Sequence, residues 1–359
     1  MRLNRTALRE VVVVFATLGA TAFGGPAAHV ALQERECVRR RRWLDHQRFL
    51  DLLAVTNLIP GPNSTEMAMH LGRLRAGGAG LVAGGVAFIL PSAVLVTIVA
   101  ALYVRLGRLP AVEVVLATLR PAVLVVVADA LVGFARQAVR DVGKALAAAL
   151  ALVASLAGIG EVPIVALAVL VGLGSIRIDR SRELDASLVA LALVCLKIGA
   201  TMFGSGYVLI SYLRTELCGR GWLSDRAILD AVAIGQVTPG PVSTAATFVG
   251  YLLAGAPGAA VATIAIFLPG FVLVAATAPV VERWRAHPVV RRTLDVVNAA
   301  VVGLIAAVLV QLAPAALGSP AQIGIATAAA LGLWAVGIGS SWVLGACAGL
   351  GVARAILGW

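Results

Sequence analysis

Two short strings hold the residues through which this sequence could do chemistry: Pro60-Gly61-Pro62-Asn63-Ser64-Thr65 and Pro239-Gly240-Pro241-Val242-Ser243-Thr244. Pro62 has no N–H and a fixed φ, which suits the first position of a helix. Pro60 pushes Ile59 out of helical conformation and so ends the helix before it. Each string therefore reads as a stop followed by a restart. A restart leaves the N–H groups of Asn63, Ser64 and Thr65 without acceptors, at a helix end carrying about half a positive charge. The hydroxyls of Ser64, Thr65, Ser243 and Thr244 add rotatable donors. Such a spot suits an anion. Moving an unsolvated anion through apolar surroundings costs roughly tens of kcal/mol by Born estimates, so fixed donors must replace its water. The plainer reading is a break that only shapes packing or makes a re-entrant turn; repetition of the whole string favours the anion site. Breaks that point apart into lipid, or that neighbouring carboxylates cap, would remove its basis.

Ionisable residues inside apolar runs form a second set, and each has two readings. Lys197, in LALVCLKIGATMFG, stands where the first half has Thr17; it is a fixed counter-charge for a dianion, or a snorkelling or paired lysine. Arg120, in LATLRPAV and matched by Asn298, is an anion contact or a helix-to-helix bond. Asp129 lies nine residues beyond Arg120, which on one helix is the opposite face and about 13.5 Å away. It needs another cation or a proton. Glu66 and His70 share a face of the restarted helix at i, i+4 and could couple a proton to the anion; a hydrogen-bonded pair near a helix end is the bland alternative. Asp51 and Asp230 are matched ahead of the two breaks, as proton carriers or as acids favoured by a helix dipole. Gly24, Gly25 and Gly204, in FGGP and FGSG, join the candidate binding set. His29 and the arginines 39 to 42 read as loop and lipid-facing groups, although a basic vestibule would concentrate anions. Cys37, Cys195, Cys218 and Cys347 are scattered, as are the histidines at 29, 46, 70 and 287. No metal site, cofactor or enzymatic constellation is expected from them.

The elements that must carry these groups are membrane helices. Hydrophobic residues make up 60% of the 359 and charged ones 13%, against roughly 25% charged in a soluble domain; mean hydropathy is +0.97. Runs such as 78 to 104 and 294 to 313 are long enough to cross a hydrocarbon core of about 30 Å, where only helices satisfy the backbone. An all-α integral membrane protein follows, with the lipid bilayer as its partner. The net charge of +11 comes mostly from arginine in short loops, so it reads as topology and phospholipid contact. Nucleic acid would need a folded basic domain, and no soluble stretch is long enough for one. The N-terminus has a basic start and an apolar middle with no A-x-A-like site after it, which reads as a first membrane helix rather than a cleaved signal.

The chain also repeats itself. FGGP at 23 answers FGSG at 203; WLDHQRFLDLLAVTNLIPGPNST from Trp43 answers WLSDRAILDAVAIGQVTPGPVST from Trp222; LGRLRAGGAGLVAGGVAFILPS from Leu71 answers VGYLLAGAPGAAVATIAIFLPG from Val249. Two homologous halves are expected, 1–178 and 179–359, of about five spans each, with one broken re-entrant helix pair per half. If each broken segment enters and leaves on one side, five crossings separate equivalent points and the halves are inverted; if each crosses once, they are parallel. Inverted repeats with broken helices meeting at the midplane are a usual build of secondary transporters. The basic loop 34 to 48 and the Arg2, Arg5, Arg9 start both argue for the cytoplasm, yet both cannot lie there if segment 10 to 30 crosses fully.

These strings, FGGP, LIPGPNST, LGRLRAGG and FILPS with their second copies, resemble the long-chain, two-domain members of the CHR (chromate ion transporter) family. The resemblance covers about 17 to 135 and 197 to 313. It implies an inner-membrane protein of inverted halves that exports chromate, with sulfate as the similar oxyanion, driven by membrane potential or a proton gradient. A passive oxyanion channel and a sulfate transporter are the alternatives, and a homodimer stays open. The second copy departs from the first at Gly206, for Pro26, and at Ala245, for Glu66. Those departures put in doubt any role that needs both copies.

Overall fold

The computed structural model describes residues 5–23, 25–56, 59–106, 109–159, 163–165, 167–168, 187–203, 208–277 and 288–357. Gly24 and Gly204 lie outside the described residues. Among those described there is helix and no strand. The helices are α1 (Arg5–Thr21), α2 (Gly25–Glu34, continued by a π turn Arg35–Arg40), α3 (His46–Thr56), α4 (Asn63–Leu106), α5 (Pro110–Ala138) and α6 (Val142–Leu156) in the first half. The second half has α7 (Leu188–Thr201), α8 (Val208–Leu213, continued by a π turn Arg214–Cys218), α9 (Asp225–Val237), α10 (Ala245–Thr277), α11 (Pro288–Ala316), α12 (Pro320–Leu331) and α13 (Ser340–Leu357). Short polar side chains start several of them: Asp141, Ser187, Ser224 and Ser319 each accept the N–H three residues on.

Among the described residues, five stretches are long and apolar enough to cross a membrane: Asn63–Leu106, Pro110–Ala138, Val242–Thr277, Asp295–Ala316 and Ser340–Leu357. With the shorter apolar helices beside them, they make this a multi-pass membrane protein. The lipid-facing side of α4 can be read directly: Val82, Val86, Leu90, Val94, Ile98 and Leu102 are exposed at four-residue spacing.

α4 and α10 are hairpins. Ala76 and Gly77, with φ of −137° and 66°, leave the helical region, and Ala254 and Gly255 repeat this with φ of −146° and 61°. The chain reverses there, so the arm 63–75 lies back along the arm 78–106. Gly72 meets Gly80 and Gly84 meets Ala68 so closely that a side chain would overlap the opposite backbone; Gly250 and Gly258 form the same seam in α10. An arm of thirteen residues is about 20 Å long, which reaches partway into a bilayer and no further.

Segment 10–30 does not cross as one helix. The FGGP string breaks it between Thr21 and Gly25, where Gly25 has φ of 77°, and α2 leads the chain back. Glu10 on α1 accepts from Arg41 (3.0 Å), Trp43 (3.2 Å) and Arg75 (2.8 Å). The start of α1, the end of α2 and the tip of the first hairpin therefore share one end of the molecule. The two basic stretches sit there together, which removes the conflict over their side.

The halves interlock. Gly19 lets α1 press on the Phe88 carbonyl, and Gly199 lets α7 press on the Ile266 carbonyl. α6 runs along α11, through Lys144–Asp295 at 2.9 Å and Gly303 against Ala148, while Gly351 of α13 packs on Val115 of α5. α4 meets α10 where Gly85 faces Phe271 and Arg73 reaches the Ala275 carbonyl at 3.2 Å.

Candidate functional site at the two helix breaks

Both Pro-Gly-Pro strings are breaks, and each is tied to the opposite half. Gly61 (φ 145°) donates its N–H to the Met202 carbonyl at the end of α7, at 2.7 Å. Gly240 (φ 94°) donates to the Ala22 carbonyl at the end of α1, at 2.9 Å. Positive φ favours glycine at both places. A Cβ at Gly240 would also lie 2.6 Å from the Ser92 Cβ and 2.9 Å from the Gly19 oxygen. Both breaks thus lie inside the protein, each against a helix end of the opposite half. Pro62 and Pro239 to Pro241 are buried, and Pro60 is half-buried.

The restarted helices use some of their own donors. Pro62 accepts the N–H of Thr65 (2.8 Å) and of Glu66 (3.1 Å), and Pro241 accepts the N–H of Thr244 (3.0 Å). Thr65 therefore does not offer the free amide expected of it: the first turn tightens and satisfies it locally. Thr244 Oγ1 donates to Pro241 O at 2.8 Å and meets Ser92 Oγ at 3.0 Å. Other buried polar atoms have no hydrogen-bond partner among the described residues, including Thr65 Oγ1, Ser243 Oγ, Gln236 Nε2, His70 Nε2, Gln33 Oε1 and both oxygens of Glu66. Gln33 Oε1 is an acceptor; Thr65 Oγ1 is a donor beside the first break, and Ser243 Oγ and Gln236 Nε2 are donors beside the second. Orphaned buried donors are costly, and an oxyanion is the ligand class that would accept from all of them.

Glu66 is fully buried. Its carboxyl lies over the first break, in space that a Cβ on Gly61 would fill, and its Oε1 is 3.5 Å from where a Cβ on Gly270 would stand. A carboxyl group therefore does sit at one of the two helix starts expected to hold an anion. An ionised one excludes an oxyanion by repulsion, and a protonated one donates to it.

His29 was expected in a loop or facing lipid, and the structure buries it at 1% exposure. FGGP turns α2 back into the protein, so its ring Nε2 reaches the Ala22 carbonyl (3.1 Å) and Nδ1 lies 3.5 Å from Ser64 Oγ. One helical turn on, Gln33 Nε2 donates to the Ser64 carbonyl at 2.9 Å. The i, i+4 spacing of His29 and Gln33 behind a glycine break was the signal for them. Ser92 and Gln236 were also missed, though both stand within the repeated strings.

A profile of the family described as "Chromate transporter" matches residues 9–175 and 189–352. The chain belongs to the chromate transporter family. Relatives of this family member include a chromate transport protein of Pseudomonas aeruginosa, 33% identical over 83% of this chain and 79% of its own. Another, from Cupriavidus metallidurans, is 30% identical over 85% and 82%, and a probable chromate transport protein of Synechococcus elongatus is 28% identical over 92% and 91%. No solved structure matches the chain.

The cations expected near the anion have carboxylate partners in this transporter. Arg120, 4% exposed, makes a two-bond contact with Asp230 (2.7 and 3.0 Å) and also reaches Glu113 (2.7 Å), while Tyr103 donates to Asp230 at 2.9 Å. Lys197 pairs with Glu216 at 2.7 Å, and Arg220 shares that carboxylate at 3.1 Å. Asp129 accepts from Trp334 Nε1 at 2.8 Å. Asp51 accepts from Gln47 at 3.5 Å on α3, and His70 is buried one turn beyond Glu66. The structure places Ser92 against the second break and Glu66 over the first, and ties Lys197, Arg120, Asp230 and Asp129 to other partners.

Proposed function

We propose that this protein is a secondary transporter that exports chromate, with sulfate as a related substrate, across the inner membrane. The oxyanion is held at the N-termini of the two restarted helices, by the hydroxyls of Thr65, Ser243 and Ser64, the amide of Gln236 and the helix-start dipoles. The observation that carries this reading is that each of the two buried breaks is tied to the opposite half and has, beside it, a buried donor without an acceptor among the described residues. The relatives' names supply the substrate.

In the same reading the two halves, parted near residue 178, are inverted. Supporting this, the early part of arm 78–106 lies by the late part of α10 (Gly85 with Phe271), and its far end meets α9 through Tyr103 and Asp230. Inversion gives a carrier two equivalent arrangements about one midplane site. Membrane potential suffices as a driving force: a dianion leaving through about 100 mV, negative inside, gains about 4.6 kcal/mol, a concentration ratio of about two thousandfold.

The test is labelled chromate uptake into everted vesicles, with the double substitution Pro62→Ala and Pro241→Ala as the variant. Wild-type uptake that collapses with the potential, and its loss in an inserted double variant, is expected. Accumulation indifferent to an uncoupler would remove the potential and the proton gradient as driving forces, currents that reverse at the anion's equilibrium potential with no proton movement would point to a passive channel, and retained transport in the double variant would remove the helix starts from the mechanism.

A further inference from the structure

The two breaks are not chemically equivalent, because the first has an acid built into it. Glu66 stands in the first turn of the arm 63–75, where the second copy has Ala245. Both its oxygens are buried and without a hydrogen-bond partner among the described residues. It fills space left by Gly61 at the break itself, where a Cβ would lie 2.1 Å from Oε1, and it faces Gly270 from the FLPG string of α10, where a Cβ would be in ordinary contact at 3.5 Å. At the position matching Gly270 the first half has Ser92, which packs on Gly240 and Thr244 at the second break. Each half therefore closes the other's break, with a hydroxyl on one side and with space for a carboxyl on the other.

We propose that Glu66 is a proton-linked gate on the oxyanion site: ionised, it occupies the first helix start as a tethered anion, and an oxyanion enters only as Glu66 takes up a proton. The proposal rests on the anion site argued above. Two negative charges cannot share one buried helix start cheaply, so substrate binding and proton binding at Glu66 must favour each other by the same factor. The proton comes from water, bonds to a carboxyl oxygen and turns that oxygen from an acceptor into a donor towards the substrate. Other titratable or charged groups around the first break are His29 on α2, His70 and Arg73 further along the same arm, and Asp51 on α3. The second half presents Met202 to the break and Gly270 to the carboxyl, and neither titrates.

The experiment measures labelled chromate binding to purified full-length protein in detergent, on the alkaline side of neutrality where chromate is the dianion. Proton uptake is followed with an indicator dye in weak buffer. Wild type is expected to bind chromate with uptake of a proton and to lose affinity as pH rises, by up to about tenfold per pH unit for a single linked proton. Glu66→Gln is expected to bind without that uptake and with affinity level across the same range. Should Glu66→Gln aggregate, Glu66→Ala takes its place, since the second copy folds with Ala245 there. Wild-type binding without proton uptake, or uptake that persists in the variant, would overturn the gate and leave the anion site standing. Failure of wild type to bind chromate at all would instead overturn the site.

Discussion

At the first break His29, Gln33, Glu66 and His70 are buried together; at the matching positions beside the second break stand Leu209, Leu213, Ala245 and Val249, equally buried and apolar. The backbone device is common to both copies: a positive-φ glycine between prolines, an N–H given to the other half, and a glycine-seamed hairpin behind it. What differs is the chemistry around it and how firmly it is held. α9, which leads into the second break, is fixed by Asp230 to Arg120 and by Asp225 to Arg214 at 2.9 Å. α3, which leads into the first, has the matching Asp51 half-exposed where Asp230 is buried, and the residue matching Arg120 is Asn298. The comparison teaches that duplicated halves can divide their work, one copy keeping the groups that change charge while the other becomes the fixed wall.

The largest effect that could break this comparison is on stability. Arg120→Ala leaves Asp230 buried and unpaired and is expected to cost about 3–5 kcal/mol, read as a lowered unfolding midpoint in detergent. Asp51→Ala, at the matching place in the first copy, is expected to cost under about 1 kcal/mol. Equal losses in the two variants would mean that α3 is held as firmly as α9.

The smallest effect concerns the outer end of the first copy. Burial works to raise the Glu36 carboxyl, but hydrogen bonds from Arg41 and Arg40 outweigh it and hold the group below its ordinary value of 4.5. A lowered carboxyl stabilises the fold above the unfolded-state value and loses that contribution as pH falls through the folded-state value. Acid titration of wild type against Glu36→Gln should therefore show a difference that is present near neutrality and fades in acid. It should stay below about 1 kcal/mol, because one partner, Arg40, is largely exposed. A difference that grows in acid would contradict the sign.

Much of this was legible in the sequence, for a physical reason. Pro-Gly-Pro acts on the backbone whatever surrounds it, so the breaks, the restarted helices and the doubling could be read without any tertiary contact. The pairings could not. Arg120 meets Asp230 across 110 residues and Lys197 meets Glu216 across 19, and nothing local in either string identifies the partner. For the same reason both cations read as candidates for the anion. His29 was misjudged because the reversal at FGGP, which turns α2 inward, was read as part of a continuous span. Glu66 was found by its spacing to His70, but its place over Gly61, facing Gly270 of the other half, needed the folded chain.

The most direct test is to locate the chromium atom itself, by its anomalous X-ray scattering, in crystals of the protein soaked with chromate. The expected result is a single peak between the breaks, with chromate oxygens about 2.7–3.2 Å from hydroxyls such as Thr65 Oγ1 and Ser243 Oγ. Chromium bound at the arginines of the loops or beside Lys197, with nothing at the two helix starts, would contradict the account.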